Sequence, residues 1–155
     1  DNLSNSAIER QIKLKFQTQL IDRIVYIDPD QITRAFENLI VNAIKYTSLG
    51  GNVTVETEQS AEMLIVEVAD TGIGIPAEDI SNIFLPFYRV KHHPIASAEG
   101  TGLGLAIVES IIKNHGGTIS VKSELNQGST FCFCIPWRKN DEAYSHNEGV
   151  SRQAI

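Results

Sequence analysis

The sequence predicts an α/β fold, a two-layer sandwich with helices packed on one face of a mixed β-sheet. Three observations lead there. Strand-like and helix-like segments cluster in pairs, in the order β, β, long helix, β, β, short helix, loop, helix, β, β. That order is neither a βαβ alternation nor an all-β pattern. The long helix carries one apolar stripe, so it buries one face. At 155 residues the chain is most simply one domain, long enough to bury roughly two-thirds of its unfolded surface.

Residues 1–10 are polar with scattered apolar positions and read as the end of an upstream helix or a linker. The chain starts at Asp1 without a Met, so a piece of something longer is expected. Residues 11–20 alternate, with Ile12, Leu14 and Phe16 on one side and Lys13, Lys15 and Gln17 on the other. That is the pattern of a half-buried strand. Residues 24–27 are a second short β run. The strongest element follows, over 28–47. Asp28 can cap a helix, Pro29 fits its first position, and Gln31 stands three residues after the cap. Ile32, Phe36, Leu39, Ile40 and Ala43 form its core stripe. Asn38, Asn42 and Lys45 stand at i, i+4 and i+7 and share a face beside that stripe. Such a polar row either lines a cleft or is a solvated flank. Glu37 lies about 100° around the helix from Asn38 and should point away.

Gly50 and Gly51 supply the geometry that ends the helix. Residues 53–58 and 63–69 read as strands joined by a turn, the second apolar enough to be central. A short helix is expected over 77–84, with Glu78 and Asp79 in its first turn. Residues 85–101 lack periodicity, and so long a connection is usually functional or mobile. A second full helix is expected over 102–114, with Leu103, Ala106, Ile107, Ser110 and Ile111 facing in. His115 sits in its last turn, where a capping or dipole role fits better than catalysis. Strands over 118–123 and 129–135 flank a turn at Asn126-Gln127-Gly128. Residues 139–155 are polar and aperiodic, and a disordered tail is expected.

The net charge of −6 argues against a nucleic-acid surface as the main function. No apolar run approaches a membrane span and no signal peptide opens the chain. A cytoplasmic location without membrane contact is expected of this piece, whatever anchors its parent. Cys132 and Cys134 stand two apart on a strand and share a face, with no further ligands nearby at metal spacing. They read as buried reduced thiols.

Three small-residue stretches remain. Asp70-Thr71-Gly72-Ile73-Gly74 follows a buried strand. A carboxylate there wants a donor, and an exocyclic amine of a base would serve. The alternative is a tight turn in which Asp70 bonds local backbone N–H groups. Gly100-Thr101-Gly102-Leu103-Gly104 precedes a helix, so its N–H groups could hold phosphates. It is not a Walker loop, because Leu105 follows Gly104, and no strand directly precedes it as a Rossmann motif requires. Gly128-Ser129-Thr130 taken alone is a hairpin turn.

The combination is more specific than its parts. An Asn-x-x-x-Asn-Ala-x-Lys-Tyr helix is followed by DTGIGI, FLPFYRV, EGTGLGLAI and GSTF in that order. Over residues 11–138 this resembles the ATP-binding catalytic domain of sensor histidine kinases. The resemblance implies a Bergerat-type fold, shared with DNA gyrase, mismatch-repair ATPases and large heat-shock chaperones. It also implies roles for residues. Asn38 and Asn42 match its asparagine box, with Asn42 as Mg²⁺ ligand and Lys45 and Tyr46 on the phosphate side. Asp70 matches the adenine-amine acceptor, with Gly72, Gly74 and Ile75 shaping that pocket. Phe84 and Phe87 match the aromatic box, and Arg89 the arginine that reaches the terminal phosphate. Gly100, Thr101, Gly102, Leu103 and Gly104 would face the phosphates, and Thr130 would put a hydroxyl near the adenine. Residues 90–99 would form a mobile lid.

The activity so implied is transfer of the γ-phosphoryl group of Mg²⁺-ATP to a histidine. Lys45, Arg89 and Asn38 would act at the phosphate, with Glu37 a remote further candidate. Two alternatives are a self-contained ATPase switch and a non-catalytic nucleotide-binding module. Gyrase-like relatives carry a glutamate base where Asn38 stands, and an amide accepts no proton usefully. The family's acceptor histidine is followed at once by an acid. Here His92 precedes His93, His93 precedes Pro94, His115 precedes Gly116 and His146 precedes Asn147. His92 and His93 fall in the lid and read as inert. The implied partners are therefore a histidine-bearing dimerisation domain and a response-regulator receiver domain, the isolated piece being monomeric.

Overall fold

The computed structural model describes residues 2–19, 26–90, 100–136 and 153–154. Its elements are α1 (Asn2–Glu9), β1 (Lys13–Thr18), β2 (Tyr26–Ile27), α2 (Pro29–Tyr46), β3 (Asn52–Gln59) and β4 (Met63–Asp70). Then come α3 (Gly104–Asn114), β5 (Thr118–Glu124), β6 (Gly128–Pro136) and β7 (Gln153–Ala154). Five strands form one mixed sheet in the order β1-β3-β4-β6-β5. β1 runs parallel to β3, and the other pairs are antiparallel. The expected two-layer α/β sandwich is the fold that forms. Val53, Val55, Val66, Val68, Phe131, Phe133 and Ile135 alternate inward from the sheet and meet Leu39, Ile40, Val108 and Ile112 of the helices. Phe36 lies edge-on to Phe133, with centroids 5.4 Å apart.

α2 starts as its sequence dictates. Asp28 Oδ1 accepts from the N–H groups of Asp30 and Gln31, both at 3.1 Å. The Gln31 amide returns to Oδ2 at 2.8 Å. These bonds hold the Asp28 carboxyl below its ordinary range. The helix ends at buried Thr47, whose hydroxyl turns back on the Ala43 carbonyl at 2.6 Å. A second tie meets the cap. The Asp28 N–H donates to His115 Nε2 at 3.0 Å, and His115 Nδ1 lies 2.7 Å from the Ile111 carbonyl. Nδ1 therefore carries the proton, and His115 clasps the end of α3 to the start of α2.

Four expectations are corrected. Residues 77–84 form no α-helix. Their backbone closes at three-residue spacing, Asp79 to Pro76, Asn82 to Asp79, Leu85 to Asn82 and Tyr88 to Leu85. So short a segment does not nucleate a helix, and tertiary anchors decide it instead. Ile83 is buried, Phe84 packs on Phe131, and the Tyr88 hydroxyl bonds Asp79. α3 begins at Gly104 and buries Val108, Ile111 and Ile112, while Ser110 is exposed. Phe16 shares the face of the core but is 63% exposed, because β1 is an edge strand with a neighbour in the sheet on one side only. Cys132 and Cys134 share a face as expected, yet that is the sheet's open face, and both are half-buried. Burial, Cys134 and Glu67 push the Cys132 thiol up to about 12. Most of the expected tail, 139–155, lies outside the described residues; Gln153–Ala154 pairs with Tyr26–Ile27.

Leu39 is 1% exposed on the core face of α2. Leu39→Ala should cost about 2–5 kcal/mol in urea unfolding. Phe16→Ala should stay within about 0.5 kcal/mol of the parent, as an exposed side chain does. A large loss at Phe16 would mean that the strand is covered.

Candidate functional site

A cleft of about 320 Å³ opens between α2, the end of β4 and the start of α3. The polar row of α2 faces it: Asn38, Asn42, Lys45 and Tyr46 all line it. The Asn38 amide nitrogen donates to the Arg34 carbonyl at 2.9 Å, which fixes the amide's orientation. Its oxygen is then the atom beside Gly104, where an added Cβ would lie 3.0 Å away. The Lys45 ammonium stands similarly against Gly100, 3.1 Å from where a Cβ would be. It also lies 5.2 Å from the centroid of the Tyr46 ring. Glu37 is exposed and is not among the lining residues.

Asp70, the last residue of β4, lines the cleft as well. Its Oδ1 accepts from the N–H groups of Gly72 at 2.8 Å and Ser129 at 3.3 Å. Burial nonetheless pushes its carboxyl up, against the pull of those bonds. Asp70 bonds its own turn, as the tight-turn reading expects, and it also lines the cleft. Gly74 and Ile75 line the cleft too. Gly72 does not; its bare Cα lets the turn press on α2, where a Cβ would come within 2.4 Å of the Tyr46 carbonyl.

The third wall is glycine-rich. Gly100, Thr101, Gly102 and Gly104 line it, with Arg89 beside them. Leu103 does not. α3 starts there without a side-chain cap among the described residues, so its first N–H groups are open to an anion. Gly102 adopts φ +73°, and an added Cβ would meet the Phe87 backbone at 2.8 Å. Phe87 donates its N–H to the Gly102 carbonyl at 2.9 Å. Its side chain is 73% exposed and stands outside the cleft. Phe84 stands behind the cleft, edge-on to Phe131, with centroids 6.4 Å apart. The lid expected over 90–99 lies outside the described residues but for Val90, a lining residue.

Thr130 is turned away. On β6 the side chains alternate, and Ser129 and Phe131 are the ones that face the cleft. One residue of offset on a strand changes the face. Ile83, Tyr88 and Leu105 also line the cleft without having been singled out. The helical period would have reached Leu105, but nothing marked the turns that bring in Ile83 and Tyr88. Among the lining residues the charged ones are Asp70, Lys45 and Arg89. A chain of net charge −6 therefore places two cations and one acid here. Among the described residues no group of three or more His, Cys, Asp or Glu could hold a metal ion. Amide oxygens and a ligand's own oxygens are the donors this cleft offers.

Comparison with known proteins agrees with this geometry. The chain is 40% identical over 133 residues to the sensor histidine kinase WalK of Bacillus subtilis, covering 83% of this chain and 22% of WalK. The chain thus spans under a quarter of that relative. The catalytic domain of histidine kinase ThkA, solved nucleotide-free, superposes with a TM-score of 0.75 at 33% identity, covering 88% of this chain and 86% of that one. ThkA in complex with the response regulator protein TrrA matches with a TM-score of 0.71 at 29% identity, over 88% of this chain and 37% of that one. The family model described as histidine kinase-, DNA gyrase B- and HSP90-like ATPase matches residues 27–139, and the chain belongs to that family.

Proposed function

We propose that this domain binds Mg²⁺-ATP in the cleft and passes the γ-phosphoryl group to a histidine on a separate dimerisation domain. A receiver domain then takes the group from that histidine. The observation that carries this reading is the placement of charge. One carboxylate, Asp70, lines the cleft, together with two cations, Lys45 and Arg89. Where a water-activating base would be needed, the side chain is Asn38, and Glu37 points out. The cleft is thus equipped to hold a nucleotide without activating water against it.

The parts follow. Oδ1 of Asp70 is taken by backbone N–H groups, leaving Oδ2 to accept from a base amine. Lys45, the Gly100–Gly104 backbone and the start of α3 receive the phosphates. Asn42, with the Asn38 oxygen near it, would hold Mg²⁺, which neutralises phosphate charge when bound. Arg89, a lining residue, would meet the charge that develops as the histidine nitrogen attacks and the γ-phosphorus–oxygen bond to ADP breaks. The acceptor is not His115, since both its ring nitrogens are engaged. The complex of ThkA with TrrA supports a receiver domain as the downstream partner.

Asp70→Asn should weaken ATP by about 1–3 kcal/mol in calorimetry, because a charge-assisted bond is lost. Unchanged affinity would remove Asp70 from the site. The same variant should melt higher than the parent at neutral pH. Burial raises this carboxyl above 3.8, so the stability it contributes is full below that value and is lost as pH rises. Asparagine carries no such cost and keeps the Oδ1 acceptor. The difference in midpoint should close as pH falls toward 3.8, and a gap independent of pH would contradict it.

Arg89→Ala should slow transfer to a supplied histidine-bearing domain by about 10²-fold or more while ATP affinity falls far less. Equal losses in both would make Arg89 a simple binding residue. Fast phosphate release without a partner would move the domain to the gyrase-like class.

A further inference from the structure

The base end of the cleft contains a hydroxyl pair that the phosphotransfer reading does not use. Asp70, Ser129 and Ser123 stand side by side across β4, β6 and β5, paired in register. Ser129 lines the cleft and is 7% exposed. Ser123 sits behind it, half-buried. The Ile75 N–H donates to Ser123 Oγ at 2.8 Å. Ser123 Oγ lies 2.9 Å from the Gly128 carbonyl and 2.9 Å from Ser129 Oγ.

One proton assignment satisfies all three contacts. A carbonyl cannot donate, so the Ser123 proton must go to Gly128. Ser123 then has one lone pair on the Ile75 N–H and one left, which the Ser129 hydroxyl fills by donating. If Ser123 donated to Ser129 instead, two oxygens would face each other at 2.9 Å with no proton between them. Ser129 thus spends its proton backward and offers lone pairs to the cleft. Beside it stands the Asp70 carboxylate, also an acceptor. The two polar side chains here, Asp70 and Ser129, thus both face the cleft as acceptors.

We propose that Ser123 is a specificity-determining positioning residue, which sets the base preference of the cleft by holding the Ser129 hydroxyl proton away from it. This rests on the reading of the cleft as a nucleotide site. A 6-amino purine brings two N–H donors to such a pair. A 6-oxo purine brings oxygen lone pairs, and these meet lone pairs. Ser123 touches no nucleotide itself; it acts through Ser129.

Calorimetry with ATP and with inosine triphosphate, which differs only in its 6-oxo group and the adjacent N1–H, tests this on the intact domain. The parent should prefer ATP. Ser123→Ala frees the Ser129 proton to turn toward the base, and the preference should narrow about tenfold, one hydrogen bond's worth. Ser123→Thr keeps the hydroxyl and should keep the preference. Ser129→Ala should narrow the preference by itself, because an acceptor is removed. In that background Ser123→Ala should change the ratio no further, since its effect passes through Ser129. A loss of affinity from loosened packing would weaken both nucleotides alike and leave the ratio in place. An unchanged ratio in folded Ser123→Ala or in Ser129→Ala overturns the proposal, as does a parent that binds both nucleotides equally. A parent that binds neither overturns the nucleotide reading itself, and this proposal with it.

Discussion

The cleft exists because the last turn of α2 is bonded to the coil that leaves β4. A helix ends with carbonyls that lack partners within it. Here the neighbours supply them. The Ile73 N–H donates to the Tyr46 carbonyl at 3.2 Å, and the Arg10 guanidinium donates to the Lys45 carbonyl at 2.9 Å. The coil can approach so closely because Gly72 has no side chain to hold it off. This one junction sets the spacing between the Asn38–Lys45 row and Asp70.

The other end of α2 is held by a different device. Asp28 caps the helix through its carboxylate, and its backbone N–H is held by His115. The imidazole therefore links the caps of two helices that flank the cleft. Neither helix can rotate about its axis without breaking a bond at this point. β6 adds Ser129 and Phe131 to the lining, and its hairpin with β5 is tied to the same coil. Asn126 donates to the Ile73 carbonyl at 2.7 Å, so the turn that carries Gly128 grips the coil after β4.

Much of this was legible in the chain. α2 announces its start through Asp28, Pro29 and Gln31, and its two faces through spacing alone. Asp70 and Gly74, with Asn38, Asn42 and Lys45, line one cleft, while Gly72 stays outside it. What was hidden is instructive in kind. Thr130 and Ser129 are adjacent hydroxyls, and composition cannot say which strand face meets the helices; cross-strand register decides that. Residues 77–84 have helical composition, but the Tyr88–Asp79 bond and buried Ile83 favour a chain of turns. The clasp of His115 on Asp28 joins positions far apart in sequence, beyond the reach of any local pattern. Phe16 alternates like a core residue, yet β1 lies at the sheet's edge, and only the strand order reveals that.

The open face of the sheet bears on how the protein meets electrophiles. Cys132 and Cys134 lie there, half-exposed and within reach of peroxide, quinones or maleimides. With the Cys132 thiol pushed up to about 12, very little of it is thiolate at pH 7. Attack requires the thiolate, so Cys132 is shielded by its proton, which partial burial does most to retain. Glu67, paired with it across the strands, helps keep that proton in place. A carboxylate on a solvent-facing strand thus doubles as a guard against covalent damage.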